Sequence, residues 1–306
     1  MRLTKLQTEI LEQLAAYTYL TNSQLAGMGL GHIKTVSRLT KMLSMHPSTK
    51  TPALGVLRPG KAGRIEGQEN ILHLTPYGAV ILSEALGADP ITIPFPLAPA
   101  FYERDYWHRK HCIDFQILLT GALRRQFAEV LTLQRFDRYF DKSGANRRRP
   151  VRERLRSLTR ADLPGGSYII PDATFMLAKA DDAAKRLLFC LEMTHQRDTK
   201  RVLEQVDQHA RALETGAVAE KYGMRQGHRV LCLFSEKPQM DAVIGRLGEI
   251  KGFEGFTRNF LFACREEVER GVIGAWRTAE SSGRVHMITG KPLESPIVGA
   301  SRPGAV

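Results

Sequence analysis

Residues 168–175 read YIIPDATF, an apolar run that carries one carboxylate, Asp172, directly after Pro171. A second apolar run, LLFCLEMTHQ at residues 187–196, also carries a single acid, Glu192. Runs without polar alternation are typical of strands that are covered on both faces of a sheet. If the two strands are neighbours, Asp172 and Glu192 converge at one edge of that sheet, because alternate residues of a strand share a face. Two such carboxylates are usual ligands of a hard divalent cation.

Each of the two acids also has a purely structural interpretation. Asp172 follows a proline, and an aspartate in that position often ends a strand or enters a turn. Glu192 would be accounted for equally well as the partner of an arginine from the basic part of the chain. The two acids therefore indicate either one shared metal-binding site or two unrelated carboxylates with local structural roles.

The region from residue 101 to residue 278 has the alternation of an α/β domain, in the order α-β-β-β-α-β-α-β. Helices are predicted around residues 107–127, 198–213 and 239–250. Strands are predicted around residues 129–136, 168–177, 186–195, 228–235 and 259–264. The predicted class is α/β, or α+β for the whole chain, with a central mixed sheet.

Residues 1–88 predict a winged helix-turn-helix: three amphipathic helices are followed by two short strands with a charged, glycine-rich link and by a helix that starts at Thr75-Pro76. In this fold the third helix enters the major groove of double-stranded DNA, and the hairpin tip reaches the flanking backbone. The residues expected to contact DNA are Lys34, Thr35, Arg38, Lys41, Lys61 and Arg64. The alternative is a small α/β domain whose polar face is merely solvated or binds protein.

Two segments are predicted to lie outside the domains. Residues 89–100 contain four prolines and predict a stiff linker. Residues 279–306 mix Gly, Ser and Pro and predict a flexible tail.

The charge of the chain is concentrated in one segment. The 306 residues carry a net charge of +12, and residues 135–160 contain nine Arg and one Lys against two Asp and one Glu. Within this segment Arg147, Arg148 and Arg149 are consecutive, an arrangement that suits phosphate contacts. We therefore expect this segment to contact nucleic acid, with a solvated loop as the alternative.

The remaining composition favours a cytoplasmic protein. The four cysteines all lie in apolar runs without metal-binding spacing, as expected of buried, reduced thiols. The N-terminal residues are amphipathic and do not have the pattern of a secretory signal. No stretch reaches the length of a membrane helix, so we expect no membrane insertion.

The spacing of the two acids is similar to that of a nuclease core. A Pro-Asp followed about twenty residues later by a strand with a glutamate, in the order α-β-β-β-α-β, resembles the PD-(D/E)XK nucleases. With a winged helix in front, the chain resembles the plasmid replication-relaxation family over roughly residues 1–265. This resemblance implies Mg²⁺ or Mn²⁺ held by Asp172 and Glu192, a plasmid origin as the DNA partner, and nicking, relaxation or replication control; a homodimer is compatible with it.

The chain departs from the nuclease pattern at one position. The motif lysine belongs two residues after the glutamate, where this chain has Thr194. In this superfamily the lysine can move to the following helix, and Lys200 would then orient the phosphate. Two alternatives remain: a non-catalytic DNA-binding accessory factor with a degenerate nuclease fold, and a transcriptional regulator whose second domain senses a ligand. The regulator predicts an apolar pocket in the second domain and no clustered acids.

Overall fold

The computed structural model describes residues 3–45, 51–59, 67–96, 105–141, 156–194, 198–225, 227–281 and 283–293. Contacts between residues divide the chain into two compact units. Unit 1 consists of Met1–Ile117 and Phe140–Leu158, and unit 2 consists of Leu118–Tyr139 and Thr159–Val306. The predicted sites at Lys61, Arg64 and Arg147–Arg149 lie outside the described residues.

Unit 1 has the predicted element order of helices followed by a hairpin. Its helices and strands are α1 (Lys5–Tyr17), α2 (Asn22–Gly27), α3 (Ile33–Ser44), β1 (Leu54–Leu57), β2 (Ile71–Leu74) and α4 (Pro76–Leu86). Threonines begin three of these helices: the hydroxyls of Thr4, Thr21 and Thr75 accept backbone N–H groups of the first turn. Each helix start is thus encoded locally, by a capping residue in front of an apolar repeat.

A residue of the segment between α1 and α2 pairs with the hairpin of unit 1. β1 pairs with β2 in antiparallel fashion, and Leu20 exchanges two backbone hydrogen bonds with Leu72 of β2, at 3.1 and 2.8 Å. On α3, Val36, Leu39 and Leu43 are buried, while Met42 is 52% exposed. The buried face of α3 therefore does not include all of its apolar residues.

The long helix α5 (Tyr106–Gln126) begins in unit 1. Its first half is tied to that unit by two hydrogen bonds: the Tyr106 hydroxyl accepts from the Glu69 backbone N–H at 2.9 Å, and Asp114 accepts from the Gln24 amide at 2.8 Å. Unit 1 therefore continues past residues 89–100, the segment predicted as a linker. Within that segment, residues 90–92 form a short 3₁₀ helix.

Unit 2 is built on a mixed five-stranded sheet, as the sequence predicts. Its strands are β3 (Leu131–Arg138), β6 (Ala173–Lys179), β7 (Arg186–Thr194), β8 (Arg229–Phe234) and β9 (Phe260–Cys264), adjacent in that order. β3, β6 and β7 are antiparallel neighbours, and β7, β8 and β9 are parallel. A separate two-stranded ribbon pairs β4 (Ala161–Asp162) with β5 (Tyr168–Ile169).

The later strands of unit 2 alternate with four helices, α6 (Thr199–Thr215), α7 (Ala217–Lys221), α8 (Lys237–Ile244) and α9 (Arg265–Gly271). The sequence predicts α6 and α8, and it does not predict the short helices α7 and α9. One face of the sheet packs under α6 and α8, where Val202, Val206 and Met240 bury against Val230 and Phe262. All residues of β9 are buried, which agrees with the prediction from its unbroken apolar run.

Two expectations differ from the structure. The run YIIPDATF is not one strand: β5 ends at Ile169 and β6 begins at Ala173, because Pro171 has no N–H for a sheet ladder. The segment after residue 279 is also packed where the structure describes it. Val285 and Met287 are buried, and the Met287 N–H donates to the Ile273 carbonyl at 2.8 Å. Among the described residues, no helix is both long and apolar enough to cross a membrane.

Candidate divalent-metal site

Asp172 and Glu192 lie side by side in unit 2. β6 and β7 are antiparallel, and Ala173 pairs with Leu191. Continuing this register by one residue places Asp172, just before β6, opposite Glu192. The two side chains are close enough to interact electrostatically, and they are only 9% and 6% exposed. The predicted convergence of the two acids is therefore present, although Asp172 precedes a strand instead of ending one.

Asp172 is fixed by its own backbone and by that of β7. Its Oδ2 accepts the Met193 backbone N–H at 2.8 Å, and its carbonyl accepts the Tyr139 N–H at 2.9 Å. These bonds join the break after Pro171 to the ends of β7 and β3. They hold the Asp172 carboxylate in place although Asp172 itself lies outside the strands of the sheet.

Glu192 is held by helix α6. Its Oε1 lies 2.7 Å from His209 Nε2, and its Oε2 accepts from the Gln205 amide at 3.4 Å. Gln205 and His209 are four residues apart and therefore lie on one face of the helix. Arg201 lies one further turn towards the start of α6, and its charge favours the ionised form of Glu192. The structure thus brings Glu192 together with His209, and does not pair it with an arginine of the basic segment among the described residues.

The electrostatics of the site oppose two full negative charges. Burial, and then the charge of Asp172, raise the pKa of Glu192 well above its usual value. Burial, reinforced by the neighbouring His228, lowers the pKa of His209 well below 6.5. The imidazole that contacts Glu192 is therefore neutral at pH 7 and does not compensate the charge of the acid pair.

The donor set suits a hard divalent cation. Carboxylate oxygens are the ligands that Mg²⁺ and Mn²⁺ prefer. Burial, and after it the charge of Asp172, disfavour the ionised form of Glu192, and a cation bound by both carboxylates would counter both effects. Asp172 and Glu192 fit the predicted role of metal ligands.

Lys200, the residue predicted to orient the phosphate, lies in a more exposed position than the two predicted metal ligands. Lys200 is exposed near the start of α6, and Thr194 is buried at the end of β7. The cation whose charge acts on Glu192 is the next residue, Arg201. Sequence inspection finds neither His209 nor Gln205 as partners of Glu192, although their i, i+4 spacing is visible once the facing strand is known.

The predicted DNA contacts of unit 1 are accessible where they are described. Lys34, Arg38 and Lys41 are exposed on α3, and Thr35 is half-buried. None of the three basic residues is placed on the buried side of the helix, which Val36 and Leu39 occupy.

Unit 2 also contains the pocket that the ligand-sensing alternative predicts. A mostly apolar cavity of about 980 Å³ is lined by residues that include Phe127, Leu177, Met224 and Ile288. The second requirement of that alternative, the absence of clustered acids, is not met, because Asp172 and Glu192 are adjacent.

Comparison of the chain with protein-family models, with curated proteins and with solved structures finds no match.

Proposed function

We propose that this chain is a DNA-binding protein of plasmid or mobile-element DNA processing, in which unit 2 uses Asp172 and Glu192 to bind Mg²⁺ or Mn²⁺ and to nick DNA. The observation that carries the proposal is that the sheet register places two nearly buried carboxylates, Asp172 and Glu192, opposite each other. Such an arrangement costs stability, and costs of this kind concentrate where charge is used for chemistry. The function is the one that resemblance to the replication-relaxation family implies.

The side chains around the acids have separate roles in this proposal. Asp172 and Glu192 hold the ion, which when bound would polarise a phosphoryl oxygen and lower the pKa of an attacking water. The Met193 N–H orients Asp172, and Gln205 with His209 orients Glu192. The charge of Arg201 acts on Glu192, so Arg201 is a second candidate beside Lys200 for orienting the phosphate.

Unit 1 supplies the DNA-binding part of the proposal, as a winged helix. Three helices precede an antiparallel hairpin, and α3 exposes Lys34, Arg38 and Lys41. Between Gln13 and Ile65 the sequence contains seven Lys or Arg residues and no Asp or Glu. A surface of this composition favours a polyanion.

DNA binding by α3 is tested through its salt dependence. The variants Lys34→Ala and Arg38→Ala should each weaken binding to duplex DNA and reduce the slope of log K against log salt by about 0.9 for each phosphate that the side chain no longer neutralises. Lys5→Ala, which removes an exposed lysine of α1, is the matched control and should leave the slope unchanged. Equal slopes for all four proteins would remove α3 from the interface.

Nicking is tested on a supercoiled plasmid that carries the cognate origin. The wild type should convert it to the open circle only with Mg²⁺ or Mn²⁺, and Asp172→Asn should abolish the conversion. Asp182→Asn, at an acid in the turn before β7 that pairs with Lys185, is the matched control and should stay active. Nicking that persists in Asp172→Asn or in the presence of a chelator would contradict the assignment.

A second candidate is the non-catalytic accessory factor. It is favoured by Thr194 at the position of the motif lysine. In this case duplex binding depends on α3 as above, and no nicking occurs with any divalent ion. The two candidates are therefore separated by the plasmid assay, while the binding assay is common to both.

A further inference from the structure

A second group of ligand atoms lies next to the acid pair, on the same side of the sheet. Cys190 of β7, His209 of α6 and His228, which precedes β8, each offer one ligand atom within 4.8 Å of the other two. The three residues come from three different elements and are 0%, 0% and 1% exposed. The adjacent strands and the covering helix therefore bring a thiol and two imidazoles together in the interior.

The separation of the two imidazoles is the separation that a zinc ion would impose. His209 Nδ1 lies 3.4 Å from His228 Nε2, which is long for a hydrogen bond. Two nitrogens that each lie about 2.0–2.1 Å from a tetrahedral zinc ion are about 3.4 Å apart. The spacing of the two nitrogens is therefore compatible with one ion bound by both rings.

The surroundings of the His209 ring resemble those of a metal-bound histidine, and the His228 ring is buried beside it. His209 directs Nε2 to Glu192 at 2.7 Å, which leaves Nδ1 for the cluster. A carboxylate on the far nitrogen is the usual device that orients a metal-binding histidine. His228 is held at its backbone, where Asn259 donates to its carbonyl at 2.9 Å. Its Nδ1 is buried and has no hydrogen-bond partner among the described residues.

We propose that Cys190, His209 and His228 form a binding site for a zinc-class divalent ion. A thiolate with two imidazoles selects Zn²⁺ over Mg²⁺, so this site differs in metal from the acid pair. Binding replaces the S–H bond of Cys190 by a metal–sulfur bond, and the thiol proton passes to solvent. Three protein ligands leave the fourth position of the tetrahedron to water. Because the ligands are enclosed, the ion enters as unit 2 folds. The proposal does not rest on the proposed function.

The test loads the full chain while it folds. Protein refolded from denaturant with Zn²⁺, then freed of unbound ion by gel filtration, should retain about one zinc per chain. Refolding with Co²⁺ should give the near-ultraviolet charge-transfer band of a thiolate–cobalt bond. Cys190→Ala and His228→Gln should lose the metal, and Cys190→Ala should lose the band. Cys232→Ala is the matched control, since Cys232 is equally buried on the next strand, and it should retain both.

The outcomes separate this proposal from the nuclease proposal. Asp172→Asn should keep its zinc, whatever its nicking activity, because Asp172 is not a member of the cluster. Should Cys190→Ala fail to fold, wild-type stoichiometry and displacement of the cobalt band by Zn²⁺ still decide whether the site binds metal. A wild type that retains no ion after refolding, or a cobalt band that survives in Cys190→Ala, would overturn the site.

Discussion

Replacement of Asp172 by asparagine is expected to stabilise the protein in the absence of divalent ions. The Asn side chain keeps an oxygen that accepts the Met193 N–H, so the 2.8 Å hydrogen bond persists. The change removes the charge of Asp172, which together with burial raises the pKa of Glu192. The variant therefore loses an unfavourable interaction and retains a favourable one.

The size of the gain follows from the charge pair. Two unit charges about 4 Å apart repel by about 4 kcal/mol at an effective dielectric constant of about 20. In the wild type Glu192 avoids part of this repulsion by binding a proton, which itself has a free-energy cost at neutral pH. We expect the free energy of unfolding to rise by about 1–2 kcal/mol in Asp172→Asn, or roughly 2–8 °C in Tm for a unit of this size.

Asp137 offers a control with the same chemical change and the opposite sign. It is also buried in unit 2, but its Oδ2 accepts from Arg135 Nε at 2.7 Å and from the Tyr222 hydroxyl at 3.0 Å. Asp137→Asn removes a charge that has a cationic partner, so we expect a loss of about 1–3 kcal/mol. Burial alone does not separate these two aspartates; only their neighbours do.

Denaturant unfolding at pH 7 with a chelator measures both variants. A second series with Mg²⁺ should stabilise the wild type, by about 1.4 kcal/mol at ten times the dissociation constant, and should leave Asp172→Asn unchanged. If Asp172→Asn instead loses stability as Asp137→Asn does, Asp172 is a structural acceptor. There would then be no repulsion between the Asp172 and Glu192 carboxylates that a bound cation could reduce.

Three further predictions concern other parts of the molecule. Burial lowers the pKa of His73 below 6.5, so the contribution of the neutral His73 to the free energy of unfolding should be fully present above pH 6.5. This contribution should fall as the pH drops towards the lowered pKa, by up to about 1.4 kcal/mol per pH unit. His73→Gln should flatten this pH profile in urea unfolding. Gly55→Ala would place a Cβ 2.3 Å from the His73 ring, so we expect a loss of about 1–3 kcal/mol that His73→Ala relieves in a double-mutant cycle; additive losses would refute the clash. Arg201→Ala should raise the Glu192 pKa in a carboxyl NMR titration, and Lys200→Ala should not; equal shifts would contradict the separate placement of the two cations.

The fold of unit 2 could be predicted where local pattern and tertiary environment agree. β9 is an unbroken apolar run, and β7 and β8 are apolar over most of their length; such runs occur in strands that are covered on both faces. The break at Pro171 follows equally from the sequence, since proline cannot donate to a ladder, but the apolar residues on either side concealed it. Val285 and Met287 are buried although the Gly and Ser content around them predicts a flexible segment, because composition does not register burial against distant residues.

The candidate site shows a sharper limit. Asp172 and Glu192 could be chosen as neighbours because each is a lone charge in an apolar run, and a buried charge needs a reason. His209 carries no such signal, since a histidine in an amphipathic helix is equally compatible with solvent. Its contact with Glu192 depends on the rotation of α6 over β7, which the packing of Val202 and Val206 against the sheet determines. Candidate ligands can thus be found in a sequence as lone charged residues within apolar runs. The residues that orient them can be identified only when the register of the sheet is known.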